Sequence, residues 1–269
     1  MRDSDKLFAG SIPALYDRLM VPLIFRSYAE DLAVRAAAGA PDSVLEIAAG
    51  TGALPRALAP LLGPDCRYVV TDLNAPMLDY ARGRQPADPR IDWRPADALA
   101  LPFEDGGFDR VLCQFGVMFF PDRVAGYREA LRVLRPGGRF LFNSWDRIEA
   151  NDFADRVTRA AAVVFPADPP RFFARTPHGY HDPDRIRSDL AAAGFTQVTI
   201  TPLEATGTAT SATEVATAFC QGTPLRAELE ARGGALDAVT AEVARALEAE
   251  FGAGPVTGRS RALVVTAGA

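Results

Sequence analysis

Val44-Leu45-Glu46-Ile47-Ala48-Ala49-Gly50-Thr51-Gly52 is a short apolar run that ends in a Gly-x-Gly turn, and an apolar helical pattern (Leu54, Leu58, Leu61, Leu62) follows directly. A strand that passes through such a turn into a helix exposes backbone N–H groups at the helix start, where an anionic ligand group is favoured. Glycine at 50 and 52 lets ligand and backbone approach closely. The next apolar run, Tyr68-Val69-Val70-Thr71-Asp72, ends on an acid. A carboxylate at the tip of a second strand can accept hydrogen bonds from both hydroxyls of a ribose. Turn and acid together point to a ligand that carries a nucleoside and an anionic tail.

Outward from this pair, the pattern alternates. Strands are expected at 43–48, 67–72, 91–94, 108–114 and 139–145, with helices at 53–62, 76–82 and 122–134 between them. Asn74 is placed to cap the second helix and Pro76 to sit in its first turn. Arg135-Pro136-Gly137-Gly138 reads as a helix stop and turn. Alternation at these lengths implies an α/β fold with a mostly parallel sheet covered by helices on both faces. Residues 12–38 carry apolar positions at helical spacing, with Pro22 marking a break or a second start. After Trp145, helices are expected near 153–164, from Asp182-Pro183 through Leu190, and between 211 and 251, where Ser211 and Glu214 have capping-box spacing. Strands at 197–201 and 261–266 complete the chain. One domain is expected, with a core of about 40–203 plus a last strand at 256–268. Helical additions are expected at 10–38, 147–180 and 211–252, and those after the fifth and sixth strands could roof the carboxyl ends of the strands, where ligands of open α/β sheets bind.

A hydrophobic fraction of 48% over 269 residues supports a sizeable core and argues against disorder. Net charge is −5, and no basic run or basic-aromatic stripe is present, so phosphate-backbone binding is not expected as the main task. The charged start, Met1-Arg2-Asp3-Ser4-Asp5-Lys6, does not read as a signal peptide, and no apolar run is long enough to span a membrane. Cys66, Cys113 and Cys220 fit neither a disulfide framework nor a zinc pattern, so buried reduced thiols, a cytoplasmic location and no metal are expected. Arginine greatly outnumbers lysine and alanine is abundant, which hints at a GC-rich bacterial source.

Further motifs sit in order: Ala96-Asp97-Ala98 with Leu101-Pro102-Phe103, then Phe108-Asp109 leading into Val111-Leu112-Cys113-Gln114, then Leu131-Arg132-Val133-Leu134-Arg135-Pro136-Gly137-Gly138. With the first two motifs, they make the chain resemble the class I S-adenosylmethionine (SAM)-dependent methyltransferases of the small-molecule type, nearest in flavour to the ubiquinone/menaquinone-biosynthesis-like group. The resemblance covers roughly residues 43–203 and the last strand. It departs at Ala48, a position often held by glycine. It implies a Rossmann-like seven-stranded sheet with an antiparallel last strand, and SAM as cofactor. Ala48, Gly50, Thr51 and Gly52 would line its methionine part, Asp72 would bind the ribose, and Leu73 and Met77 would flank the adenine. Asp97 and Ala98 would meet the adenine edge. Gln114 and Phe115 would sit near the sulfonium, and Tyr16 would close over the cofactor.

Methyl transfer is an in-line displacement on an already activated carbon, so the protein chiefly aligns the acceptor and excludes water. No fixed catalytic motif is therefore expected. Two stretches are candidates for the acceptor side. Thr176-Pro177-His178-Gly179-Tyr180-His181-Asp182 holds both histidines; His178 or His181 could take a proton, and Tyr180 could orient a polar acceptor. Val117, Phe119, Phe120 and Phe173 could wall a pocket for an apolar small molecule. The expected partner is a small, largely apolar metabolite rather than nucleic acid, because the Asn/Asp-Pro-Pro-Tyr and Pro-Cys sequences of DNA-methylating enzymes are absent. The alternatives are a protein of this fold that binds SAM without transfer and an NAD(P)-dependent oxidoreductase. Against the latter, Pro55 stands where G-x-G-x-x-G needs its third glycine. Acceptor atom and oligomeric state are not encoded in any motif.

Overall fold

The fold is described from a computed structural model covering residues 12–268; the charged start at 1–6 and the first two residues of the 10–38 addition lie outside the described residues. The strands are β1 (Ser43–Glu46), β2 (Arg67–Asp72), β3 (Ile91–Pro95), β4 (Phe108–Gln114), β5 (Leu134–Trp145), β6 (Gln197–Ala209) and β7 (Val256–Gly268). They form one seven-stranded sheet in the order β3-β2-β1-β4-β5-β7-β6. Pairing is parallel from β3 through β5, and β7 is antiparallel to both β5 and β6. The strand order reverses between β1 and β4, a switch point where an open α/β sheet leaves a crevice beyond its strand ends.

The helices cover both faces because the strands are apolar on both. On one face α2 (Arg26–Ala37) and α3 (Ala53–Leu58) bury Leu32, Ala36, Leu54 and Leu58 against Val44, Tyr68 and Leu112. On the other, α5 (Arg123–Val133) and α8 (Pro183–Ala193) bury Tyr127, Ala130, Ile186 and Leu190 against Phe140. Asn74 caps α4 (Ala75–Arg84) by accepting from the Met77 amide, as expected. Asp122 and Asp182 cap α5 and α8 in the same way. The remaining helices are α1 (Ile12–Leu15), α6 (Asp152–Val164), α7 (Phe172–Arg175), α9 (Ala212–Gln221), α10 (Leu225–Ala231) and α11 (Leu236–Phe251). Of these, α6, α9 and α11 pack on one another, and α6 also packs on β7.

Three elements differ from the sequence reading. Pro22 breaks nothing: Tyr16–Phe25 is a π-helix joining α1 to α2 without interruption. Its wider ladder bonds the Arg26 amide to the Val21 carbonyl, and this spacing absorbs the missing proline N–H. The β5 strand begins at Leu134 rather than 139, with Arg135–Gly138 looping out where the β4–β5 register shifts. The β6–β7 antiparallel pair runs 13 residues on each side: β6 extends well beyond the expected 197–201, while β7 fills the 256–268 expected for the last strand rather than only its 261–266 core.

Candidate functional site

The turn after β1 is bound directly to the acid that ends β2. One carboxylate oxygen of Asp72 accepts from the Gly50 amide at 2.8 Å, and the other accepts from the Asn74 amide at 2.7 Å. The amide expected to receive an anionic ligand group is thus already spent on Asp72, and the loop and acid form one unit. Burial pushes the Asp72 carboxyl above its usual range, while these two amides pull it back. Gly50 and Gly52 have φ of +57° and +81°, which glycine adopts without strain, and a Cβ at Gly52 would lie 3.0 Å from Ala81 Cβ. Ala48 also has positive φ (+56°), which explains why glycine suits that position.

This unit lines a cleft of about 1280 Å³, its open mouth included. Ala48, Gly50 and Thr51 lie on its loop side; Asp72, Leu73 and Met77 on the next; Asp97 and Ala98 on a third. Gln114, Phe115 and Tyr16 complete the expected set there. Gly52 does not face the cleft but starts α3. Gln114 donates from Nε2 to the Phe25 carbonyl at 3.1 Å, tying the end of β4 to the π-helix. Asp97 accepts the Leu99 amide at 2.9 Å, so it also fixes its own turn. Burial and the nearby Asp72 charge hold the Tyr16 phenol far above its usual pKa, so it stays protonated. Asp17, next to it, pairs with Arg56 at 2.5 Å and Arg84 at 3.6 Å, which fastens the π-helix over the loop.

A second, narrower cavity adjoins the first. Tyr16, Phe25, Phe115 and Phe119 line both and form a shared aromatic wall. Phe115 stacks on Trp145 with centroids 3.9 Å apart and rings inclined by 14°. Its φ of +54° is unusual for a bulky residue, and strain of that kind persists only where the surroundings impose it. Gly116 is required beside it: a Cβ there would lie 2.6 Å from Ala48 Cβ and 2.7 Å from Cys113 Sγ. Phe173 and His178 line the second cavity, as do Phe153, Phe172 and Phe219.

The remaining acceptor-side candidates are dispersed. Phe120 faces the first cleft. Val117 is fully buried and lines neither cavity. Tyr180 lies on the far face, where its hydroxyl donates to Asp189 at 2.8 Å and accepts from Tyr127 at 3.2 Å under the Arg123 guanidinium. His181 donates from Nδ1 to the His178 carbonyl at 2.7 Å and opens to a separate groove beside Arg187. The structure therefore keeps His178 with the cavities and turns Tyr180 and His181 away. Phe25 and Trp145 were missed in sequence; Trp145 stands at the carboxyl end of β5, the end of an α/β sheet where ligands gather, the signal that could have found it.

All three cysteines are buried; burial raises each thiol pKa, that of Cys220 to about 12. Among the described residues no cluster could hold a metal ion, and no helix is long and apolar enough to cross a membrane.

A Rossmann-like sheet whose strand-end glycine loop is bonded to the acid of the next strand, with an aromatic cavity beside it, defines a nucleoside-cofactor-binding α/β protein. A methyltransferase domain model matches residues 45–142. The ubiquinone/menaquinone biosynthesis C-methyltransferase UbiE of Pseudomonas putida strain F1 is 33% identical over 170 residues, covering 59% of this chain and 66% of that relative, just under two thirds of its length. UbiE of Hahella chejuensis is 31% identical over 200 residues, covering 69% of this chain and 80% of the relative. Among solved structures, Haemonchus contortus phosphoethanolamine N-methyltransferase 2 in complex with SAM superposes with a TM-score of 0.59 at 14% identity, covering 98% of this chain and 58% of that one. The chain belongs to the class I SAM-dependent methyltransferases, and SAM is its cofactor.

Proposed function

We propose that this protein moves a methyl group from SAM, held in the cleft built on Gly50 and Asp72, to a small, largely apolar metabolite held in the second cavity. The observation that carries this reading is the shared wall: Tyr16, Phe25, Phe115 and Phe119 line the cofactor cleft on one side and the aromatic cavity on the other. The residues present suit SAM. Asp72 keeps a lone pair on each carboxylate oxygen beyond those used by Gly50 and Asn74, enough for two ribose hydroxyls. Leu73 and Met77 would offer apolar surface to the adenine, and Asp97, which lines the same cleft, would meet its edge.

Bound SAM supplies an activated methyl group on a sulfonium. The chain supplies position and dryness. Its aromatic wall leaves few water-accepting groups near the transfer site, and Phe115, pinned between its strained backbone and Trp145, fixes the wall's shape. The acceptor's identity and the atom methylated follow from the second cavity rather than from the cofactor loop.

Two measurements test this. Calorimetry with S-adenosylhomocysteine should show binding that Asp72→Ala weakens about 10- to 100-fold, the loss expected for charge-assisted hydrogen bonds. Labelled SAM incubated with the protein and an acceptor library should yield products heavier by one methyl group. Binding without any labelled product would overturn transfer and leave a SAM-binding protein of this fold.

A further inference from the structure

We propose that the second cavity selects an uncharged molecule carrying a hydroxyl on an apolar, ring-like body, and that the hydroxyl donates to Nε2 of His178. This deepens the proposed function and rests on its assignment of the acceptor to that cavity.

The argument begins with hydrogen-bond bookkeeping around the cavity. The Asn151 side chain donates to the carbonyls of Asp146, Arg147 and Arg261 and accepts the Arg261 amide. Thr223 donates to the Phe219 carbonyl and accepts from the Leu225 amide. Ser260 is bonded to Tyr28 and to the Ala205 carbonyl. These lining groups are already engaged with the protein. His178 is engaged at one end only. Its Nδ1 lies 2.7 Å from the Asp146 carbonyl oxygen, which can only accept, so Nδ1 carries a proton. In the neutral ring Nε2 then carries the lone pair; it has no hydrogen bond to any of the described residues, and His178, 5% exposed, lines the cavity. An imidazole acceptor left without a protein donor, on the wall of a chamber whose other polar groups are engaged, calls for a donor from the ligand.

The charge of that donor follows from what the chamber does to its own histidine. Burial holds His178 at a pKa of about 4, so the imidazolium is disfavoured there. A ligand ammonium would meet the same penalty. Arg259 also lines the cavity, but its guanidinium is paired to Asp152, so the wall offers a ligand cation no free carboxylate there. Attraction to the aromatic faces would offset only part of this cost. A neutral O–H meets no such penalty.

Equilibrium dialysis with saturating S-adenosylhomocysteine separates the cases, using 2-naphthol, naphthalene and the 2-naphthylmethylammonium ion as probes. We expect 2-naphthol to bind at least about tenfold more tightly than either other probe, the gain of one buried hydrogen bond. His178→Phe should abolish this preference while leaving naphthalene binding. His178→Asn, which retains a donor for the Asp146 carbonyl, should do the same. S-adenosylhomocysteine affinity measured on each variant reports the first cleft separately. Its persistence with loss of the preference supports the inference. Equal binding of naphthol and naphthalene, tighter binding of the ammonium ion, a preference that survives in both variants, or no binding of any probe would overturn it. Absence of S-adenosylhomocysteine binding by the unaltered protein would instead defeat the proposed function.

Discussion

Ala48 carries a methyl group at a φ of +56°, a conformation that costs an L-residue roughly 1–2 kcal/mol. Glycine would remove that strain but adds freedom to the unfolded chain, costing about 0.5–1 kcal/mol. Ala48→Gly should therefore raise stability by up to about 1 kcal/mol, read as a higher denaturation midpoint. A lower midpoint would show that the Ala48 methyl packs more usefully than its backbone suffers. Glu46 offers a second test. It is fully buried beneath the glycine loop, accepts the Tyr68 hydroxyl, and leaves Oε1 without a partner. Burial pushes its carboxyl up to about 8 from 4.5, with the Tyr68 bond opposing. Between those pH values the folded state keeps a proton that the unfolded chain has released. Its contribution is complete below about 4.5 and falls as pH rises toward 8. Denaturant titrations of Glu46→Gln should lose this decline, which amounts to at most about 1.4 kcal/mol per pH unit. Parallel curves for both proteins across that window would refute a protonated Glu46.

At the scale of elements, the βαβ alternation was legible because each strand is apolar and each junction is punctuated by glycine, proline or a capping acid. Asn74, Asp122 and Asp182 cap as their positions imply. That the Gly50 turn and Asp72 share one cleft was legible for a related reason: neighbouring parallel strands bring their carboxyl ends together; the hydrogen bond between them was not, because the sequence reading gave that amide to a ligand. The π-helix was not, because apolar periodicity reports which face is buried and not which carbonyl each amide chooses. The length of β6 was hidden too, since it is an edge strand whose threonines and Glu204 dilute any apolar signal. His178, Tyr180 and His181 look equivalent in sequence, yet a tight turn sends them in three directions, with the His178 ring held by Asp146 and Tyr180 by Asp189. The π-helix itself makes a prediction. It is fastened to the cofactor loop through Asp17, whose side chain is 7% exposed and pairs with Arg56, which in turn donates to the Thr51 carbonyl. Asp17→Asn should weaken S-adenosylhomocysteine binding about three- to tenfold and cost about 1–2 kcal/mol of stability, the scale of a partly buried charge-assisted bond. Unchanged calorimetric affinity would mean the π-helix position does not depend on that pair.

Across the whole molecule, the sheet's strand order sets the division of labour. The switch between β1 and β4 opens the cofactor cleft, while β5 and β7 extend the sheet to where Trp145, Ser260 and the α6–α9 pair enclose the second cavity. The cavities share the π-helix and the segment after β4, which form the aromatic wall, and beyond that wall each is built on its own residues. A substitution deep in the second should then spare the first. Ala154, buried on α6, lines the second cavity and not the cofactor cleft. Ala154→Phe would occupy part of that space, with an overpacking cost of about 1–3 kcal/mol. Because the site lies apart from Gly50 and Asp72, S-adenosylhomocysteine affinity should stay within about twofold, as expected for sites that share no partners. Methyl transfer to the acceptor identified by the mass screen should fall by at least tenfold, through KM where the acceptor is displaced and through kcat where it is misaligned. A folded Ala154→Phe protein that transfers at the original rate would remove the acceptor from this cavity. One that loses cofactor binding and transfer in equal measure would show that the two cavities act as a single site.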